Sequence, residues 1–175
     1  MLNKNQVKDI MIKMKNIDYG WKDKKGEIHY DVDETFADNF IFQSPAEVLN
    51  NKVGICWEQV ELERYLFHKL KFSFNTYFIV HYDNDKCPTH TFLIFNTNNK
   101  YYWFEHSWKM FRGIHEYNEE NNALKDIKEK FISYELNGKY NPMNLCIYKY
   151  SKPKYGIGCI DFYKHCEKKQ KIKIE

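Results

Sequence analysis

The chain has 175 residues, enough to bury a core without disulfides or a metal to staple it. Hydrophobic residues make up 43%, aromatic ones 18% and charged ones 29%, a balance that points away from a disordered chain and away from a membrane span. The net charge of +3 comes from scattered lysines, among them Lys164, Lys168, Lys169, Lys171 and Lys173, while arginine occurs only at Arg64 and Arg112. Phosphate forks and base readout favour arginine, so no nucleic-acid partner is expected.

A helix is predicted over 5–17, where Val7, Ile10, Met11, Met14 and Ile17 recur at amphipathic spacing and Asn3 or Asn5 is available as a cap. Lys8, Lys13 and Lys15 interrupt this segment, which therefore lacks the apolar run of a signal peptide, and a cytoplasmic location is expected. Asp18 to Glu27 is polar with two glycines and reads as a loop or hairpin anchored by Tyr19 and Trp21. Ser44-Pro45-Ala46-Glu47 spells a capping box with proline at the first helical position, predicting a short helix through Leu49.

The next helix is predicted from the segment GICWEQVELERYLFHKL, Gly54 to Leu70, and puts Cys56 at its start. Unpaired N–H groups and the positive end of the helix dipole favour a thiolate at such a position. Taken alone, Cys56 also fits as a small core residue. Strand chemistry follows in Phe72 to Val80, His90 to Phe95 and Tyr101 to Trp108, with polar turns at Asp83 to Lys86 and Asn96 to Asn99, predicting an antiparallel meander. A surface helix is expected over 118–136 with Gly138 as its stop, then a strand over 144–150 and a terminal helix over 161–168. The five cysteines are odd in number and irregular in spacing, so reduced thiols are expected. One domain spanning residues 1–175 is expected.

A cysteine hydrolase needs a thiolate, an imidazole to exchange protons with it and a third group to orient the imidazole. Cys56, His90 and Glu105 supply these types in order, 34 and 15 residues apart, with His90 and Glu105 on strands that face each other across a turn. On the motifs SPAEVLNNKVGICW, HTFLIF and YYWFEHSW, over residues 44–108, the chain resembles the transglutaminase-like superfamily, whose members look like papain. The resemblance implies an α+β, papain-like core with the nucleophile at a helix N-terminus packed on an antiparallel sheet. It implies Cys56 as nucleophile, His90 as general base and acid, and Glu105 as orienting carboxylate. The family's usual third residue is Asp, and the chain shows no acidic cluster of the kind that forms calcium sites in animal transglutaminases. What carries over is thiol acyl chemistry on an amide or ester carbonyl, through an acyl-enzyme, with a peptide or a small amide or ester as substrate and with no cofactor and no metal.

An oxyanion needs donors placed in advance. The Cys56 backbone N–H is one candidate; among side chains Gln43 leads, by analogy with the glutamine of papain-like proteases, with Tyr19 or Trp21 as the alternatives. Trp57 is a candidate wall of the substrate cleft. Alternation along a strand turns His106 away from Glu105 and gives it a structural role. Two other readings use the same residues: a catalytically silent peptide-binding module of the same fold, and a metal site built from Cys87, His90, Cys159, His165 and Cys166.

Overall fold

The computed structural model describes residues 4–83 and 87–174. Helix α1, Lys4–Met14, buries Val7, Ile10 and Met14, and Ile17 is buried just beyond its end. Asn5 lies inside this helix and does not cap it, and Asn3 lies outside the described residues. The polar stretch that follows is a small hairpin of β1, Trp21–Lys22, and β2, Ile28–His29. A four-residue helix α2, Phe36–Asn39, comes next, too short to leave a periodic signal. In α3, Pro45–Asn51, the capping box forms in full: Ser44 Oγ accepts from the Glu47 N–H at 3.3 Å and the Glu47 carboxylate accepts from the Ser44 N–H at 2.8 Å.

Helix α4, Cys56–Lys69, is nearly all buried in its first two turns. Glu58 caps it from inside, accepting the Ile55 N–H at 3.1 Å; Ile55 has no side-chain oxygen, so only this half of a capping box forms. A six-stranded antiparallel sheet follows, built from β3 (Ser73–His81), β4 (Thr89–Thr97), β5 (Lys100–Glu105), β6 (Gly113–Tyr117), β7 (Leu145–Tyr150) and β8 (Gln170–Ile172) in the spatial order β6-β5-β4-β3-β7-β8. The turn predicted at Asp83 to Lys86 falls largely outside the described residues. Asn98 and Asn99 both take left-handed backbone, φ 52° and 56°, in a two-residue turn that pairs Thr97 with Lys100. Helix α5, Glu120–Lys130, runs into a π-helical turn, Phe131–Glu135, before β7, and α6, Cys159–Glu167, precedes β8.

The pleat divides the sheet's side chains between two apolar clusters. Phe92, Ile94 and Trp103 pack with Leu124, Ile127 and Phe131 of the α5 region, whereas Leu93, Phe95, Tyr102 and Phe104 pack with α1 and with Leu62 and Phe67 of α4. A third cluster joins Trp57 and Val60 of α4 to Phe78, Val80 and Phe162. No helix among the described residues is long and apolar enough to cross a membrane.

Candidate active site

His90 is the second residue of β4 and Glu105 the last of β5, so both stand where their strands end. Glu105 is level with Phe92, and His90, two residues earlier on β4, is its diagonal neighbour on one face. His90 Nε2 lies 2.8 Å from Glu105 Oε2. The other carboxylate oxygen accepts from Ser107 Oγ at 3.0 Å and from the Trp108 N–H at 2.7 Å, so a turn of four residues holds the acid in place. Burial works to raise Glu105, but the His90 charge and these donors hold it below the usual carboxylate range. Burial works to lower His90, and the Glu105 charge together with the hydrogen-bonding Cys56 thiol outweighs it, pushing His90 up to about 10. With Nε2 on Glu105, Nδ1 is the nitrogen left for that thiol.

Two tertiary contacts and one local bond bring the thiol to the imidazole. The Trp57 indole N–H donates to Thr89 Oγ1 at 3.2 Å, joining the neighbour of Cys56 to the neighbour of His90. On the sheet's opposite face His106 Nδ1 meets Gln59 Oε1 at 2.7 Å, and Gln59 Nε2 donates to the Gly54 carbonyl at 2.7 Å. Burial and the Arg112 charge push His106 down to about 4, so the ring is neutral and donates through Nδ1. Gly54 sits tight against Glu58, whose Cβ would lie 3.2 Å from a Cβ added there. Glu58 is fully buried and pushed by that burial up to about 8 against the N–H donors of Gln43 and Ile55. Glu63, two turns beyond Cys56, is 1% exposed with Oε2 unpaired; burial, then the charge of Glu105, holds it well above the carboxylate range.

Tyr19 reaches Cys56 through the main chain. The Asp18 N–H donates to the Lys52 carbonyl at 2.9 Å and the Gly54 N–H to the Asp18 carbonyl at 3.1 Å, a parallel bridge that lays the segment beside the loop leading to Cys56. Gly20 permits the approach: a Cβ there would meet Val53 Cγ2 and the His29 carbonyl, each at 2.6 Å. The charge of the Cys56 sulfur, then burial of the hydroxyl end, hold the Tyr19 phenol well above 10.0, while the Cys56 backbone N–H pulls the other way. Tyr19 thus keeps its proton at neutral pH and presents it beside the thiol.

The remaining predicted residues are engaged elsewhere. Gln43 is fully buried; its Nε2 donates to the Val53 carbonyl at 3.2 Å and its Oε1 accepts from Asn51 at 2.6 Å, so its amide braces the loop between α3 and α4. The Trp21 indole donates to the Asp31 carbonyl at 2.9 Å and its ring stacks on His29. Trp57 stacks on Phe162 with centroids 4.4 Å apart, placing it in the core beneath the thiol. Sequence reasoning missed Thr89 and the Asp18 bridge, which depend on tertiary contacts, and Ser107, whose bond to Glu105 is made within one turn. The ring of Trp108 lies 4.9 Å from that of His90.

The sulfur and imidazole ligands considered for a metal do not come together among the described residues: His165 Nε2 donates to the Ser151 carbonyl, 2.7 Å away, and the Cys87 thiol donates to the Asp83 carbonyl. The described residues that do gather as possible ligands are Asp23, Glu27 and His29, with ligand atoms within 4.8 Å of one another. There the carboxylate of Asp23 already accepts the N–H groups of Lys25 and Glu27.

Helices packed on an antiparallel sheet make this an α+β protein, and its buried thiol, imidazole and carboxylate meet at the ends of two strands. The sequence profile of the transglutaminase-like domain matches residues 4–134, well over half of the chain, and the chain belongs to that family. Family members are usually cysteine-based enzymes. No curated protein matches the chain. The segment after residue 134 contributes β7, α6 and β8, which extend the same sheet and close the cluster around Trp57.

Proposed function

We propose that this chain is a thiol-dependent hydrolase or acyltransferase acting on an amide or ester carbonyl, as one domain over residues 1–175 and in the cytoplasm. The observation that carries the reading is His90 held between Glu105, at 2.8 Å, and the Cys56 thiol. Cys56 passes its proton to His90 and attacks the carbonyl carbon as a thiolate; the S–C bond forms and the carbonyl electron pair moves to oxygen. The Cys56 N–H at the head of α4 and the Tyr19 hydroxyl stabilise that oxyanion, so the side-chain role first considered for Gln43 passes to Tyr19. His90 gives its proton to the leaving nitrogen or oxygen as the C–N or C–O bond breaks, leaving a thioester. It then takes a proton from water or an amine, which attacks and releases Cys56. Glu105 keeps the imidazole oriented and stabilises its charge throughout.

The rings of Trp108, Phe111 and Tyr134 step outward from His90, with centroid separations of 4.7 and 5.0 Å, and Tyr134 is 52% exposed. This apolar wall supports a peptide or amide with an apolar group beside the scissile carbonyl. The test is labelling with a panel of electrophilic peptides and esters followed by mass mapping, which is expected to find the adduct on Cys56. Labelling spread over all five cysteines would refute it. A silent peptide-binding module of the same fold is favoured by the 3% exposure of Cys56, and predicts peptide binding without any adduct.

A further inference from the structure

Helix α4 carries a second polar row, away from Cys56. Glu61, Arg64, Tyr65 and His68 stand at i, i+3, i+4 and i+7 and share one face. That face lines a cavity of about 330 Å³, closed by Phe74 of β3 and by Lys152 and Tyr155 of the segment after β7. The size and mixture, aromatic walls with a few convergent polar groups, are those of a small-molecule site.

The guanidinium of Arg64 is fixed before any ligand arrives. Its Nε donates to both oxygens of the fully buried Glu61, at 2.8 and 3.0 Å, its Nη2 donates to Thr76 Oγ1, and its Cζ lies 5.3 Å from the Tyr150 ring centroid. No described residue bonds Nη1, so one edge of a rigid cation remains open. Lys152 sits over the Tyr155 ring at 4.9 Å and pairs with no described carboxylate. The Glu61 carboxylate balances the charge of Arg64, which leaves the charge of Lys152, beside the open donor edge of the guanidinium, as the net positive character between the rings of Tyr65, Phe74 and Tyr155.

We infer that this cavity binds a small organic anion: a flat apolar body, held between the rings, carrying one carboxylate or phosphate toward Arg64 and Lys152. Arg64 is eight residues beyond Cys56, about 12 Å along the helix axis. The inference is independent of the catalytic reading.

The test is NMR titration of the intact protein with benzoate, phenyl phosphate and the neutral benzamide, each to about 10 mM, a range suited to fragment-sized ligands. Benzoate or phenyl phosphate is expected to shift amide resonances of residues 64–68 and 152–155, with benzamide silent. The tighter of the two anions identifies the head group as carboxylate or phosphate. Lys152 is exposed, so Lys152→Glu is expected to fold and to weaken the anion roughly tenfold or more, as loss and reversal of one charge contact should. Equal shifts from benzamide would overturn the inference, as would shifts centred on Cys56 and His90, no shift with either anion, or unchanged affinity in Lys152→Glu.

Discussion

Two histidines in this protein hold carboxylates beside a tryptophan ring, and they differ in what lies on the imidazole's other side. His90 meets Glu105 at 2.8 Å with Trp108 at 4.9 Å; His29 meets Asp23 at 3.2 Å with Trp21 at 4.3 Å. The His90 side chain is 8% exposed against 32% for His29. Asp23 uses its second oxygen to close the hairpin turn through the Lys25 and Glu27 N–H groups, whereas Glu105 uses its second oxygen to fix itself to Ser107 and Trp108. A His–carboxylate pair is therefore not in itself a site. Chemistry requires a reactive partner at the free nitrogen, which His90 has in Cys56.

The sharpest break in that comparison is removal of each imidazole. His90→Ala is expected to slow both turnover and iodoacetamide alkylation of Cys56 at about pH 6 by roughly 10²-fold or more, and His29→Ala to change neither. Equal effects would dissolve the distinction. Next come the carboxylates: Glu105→Gln keeps the shape but removes the imidazolium's partner, so turnover should fall by about 10²- to 10⁴-fold, while Asp23→Asn loosens a turn and leaves turnover intact. An undiminished Glu105→Gln enzyme would leave a Cys–His dyad.

A smaller effect separates Tyr19 from Gln43. Tyr19→Phe should lower turnover about 10²-fold with alkylation of Cys56 little changed, because an oxyanion donor acts only on developing charge. Gln43→Ala should leave turnover nearly unchanged and cost about 2 kcal/mol of stability by stranding Asn51 and the Val53 carbonyl, measurable by denaturant unfolding.

A further effect is thermal and comes from pH. His90, raised to about 10, and Glu58, raised to about 8, each hold a proton in the fold that the unfolded chain releases near 6.5 and 4.5 respectively. Between pH 6.5 and 8 folding therefore binds protons, and stability falls as pH rises, by up to ~1.4 kcal/mol per pH unit for each proton. His106, lowered to about 4, acts in the opposite sense, adding stability as pH rises from 4 toward 6.5. Glu105, also lowered, adds stability that is lost in acid. A scan of Tm against pH should thus decline above about pH 6.5, and a flat profile there would contradict the buried proton inventory.

Local chemistry was the legible part of this chain. The Ser44–Glu47 capping box needs only residues within one turn, and the Asn98-Asn99 turn needs only two that tolerate left-handed backbone. The long strands and α5 were readable from β-branched, aromatic or periodic runs. Helix α2 escaped because four residues carry no period; it is held by Phe36 packing against Trp21 and Phe40. Strand β6 escaped because it is five residues opening on Gly113, and β8 because three residues in a lysine-rich tail offer no apolar face. Gln43 drew attention by its position before α3, while its partners Val53 and Asn51 are a tertiary matter. Tyr19 lies 37 residues before Cys56, and its approach depends on the main-chain bridge at Asp18, which no side-chain pattern announces.

That bridge has a consequence for how the protein tolerates change. Because Asp18 is tied to Lys52 and Gly54 through its own backbone atoms, the spacing between Tyr19 and Cys56 does not depend on the identity of side chain 18. The hairpin beyond it, from Lys24 to Gly26, is exposed at its tip and can be lengthened or rewritten without moving the anchor. An engineer could thus graft new recognition loops onto the hairpin tip as an interchangeable part, provided position 20 stays without a side chain.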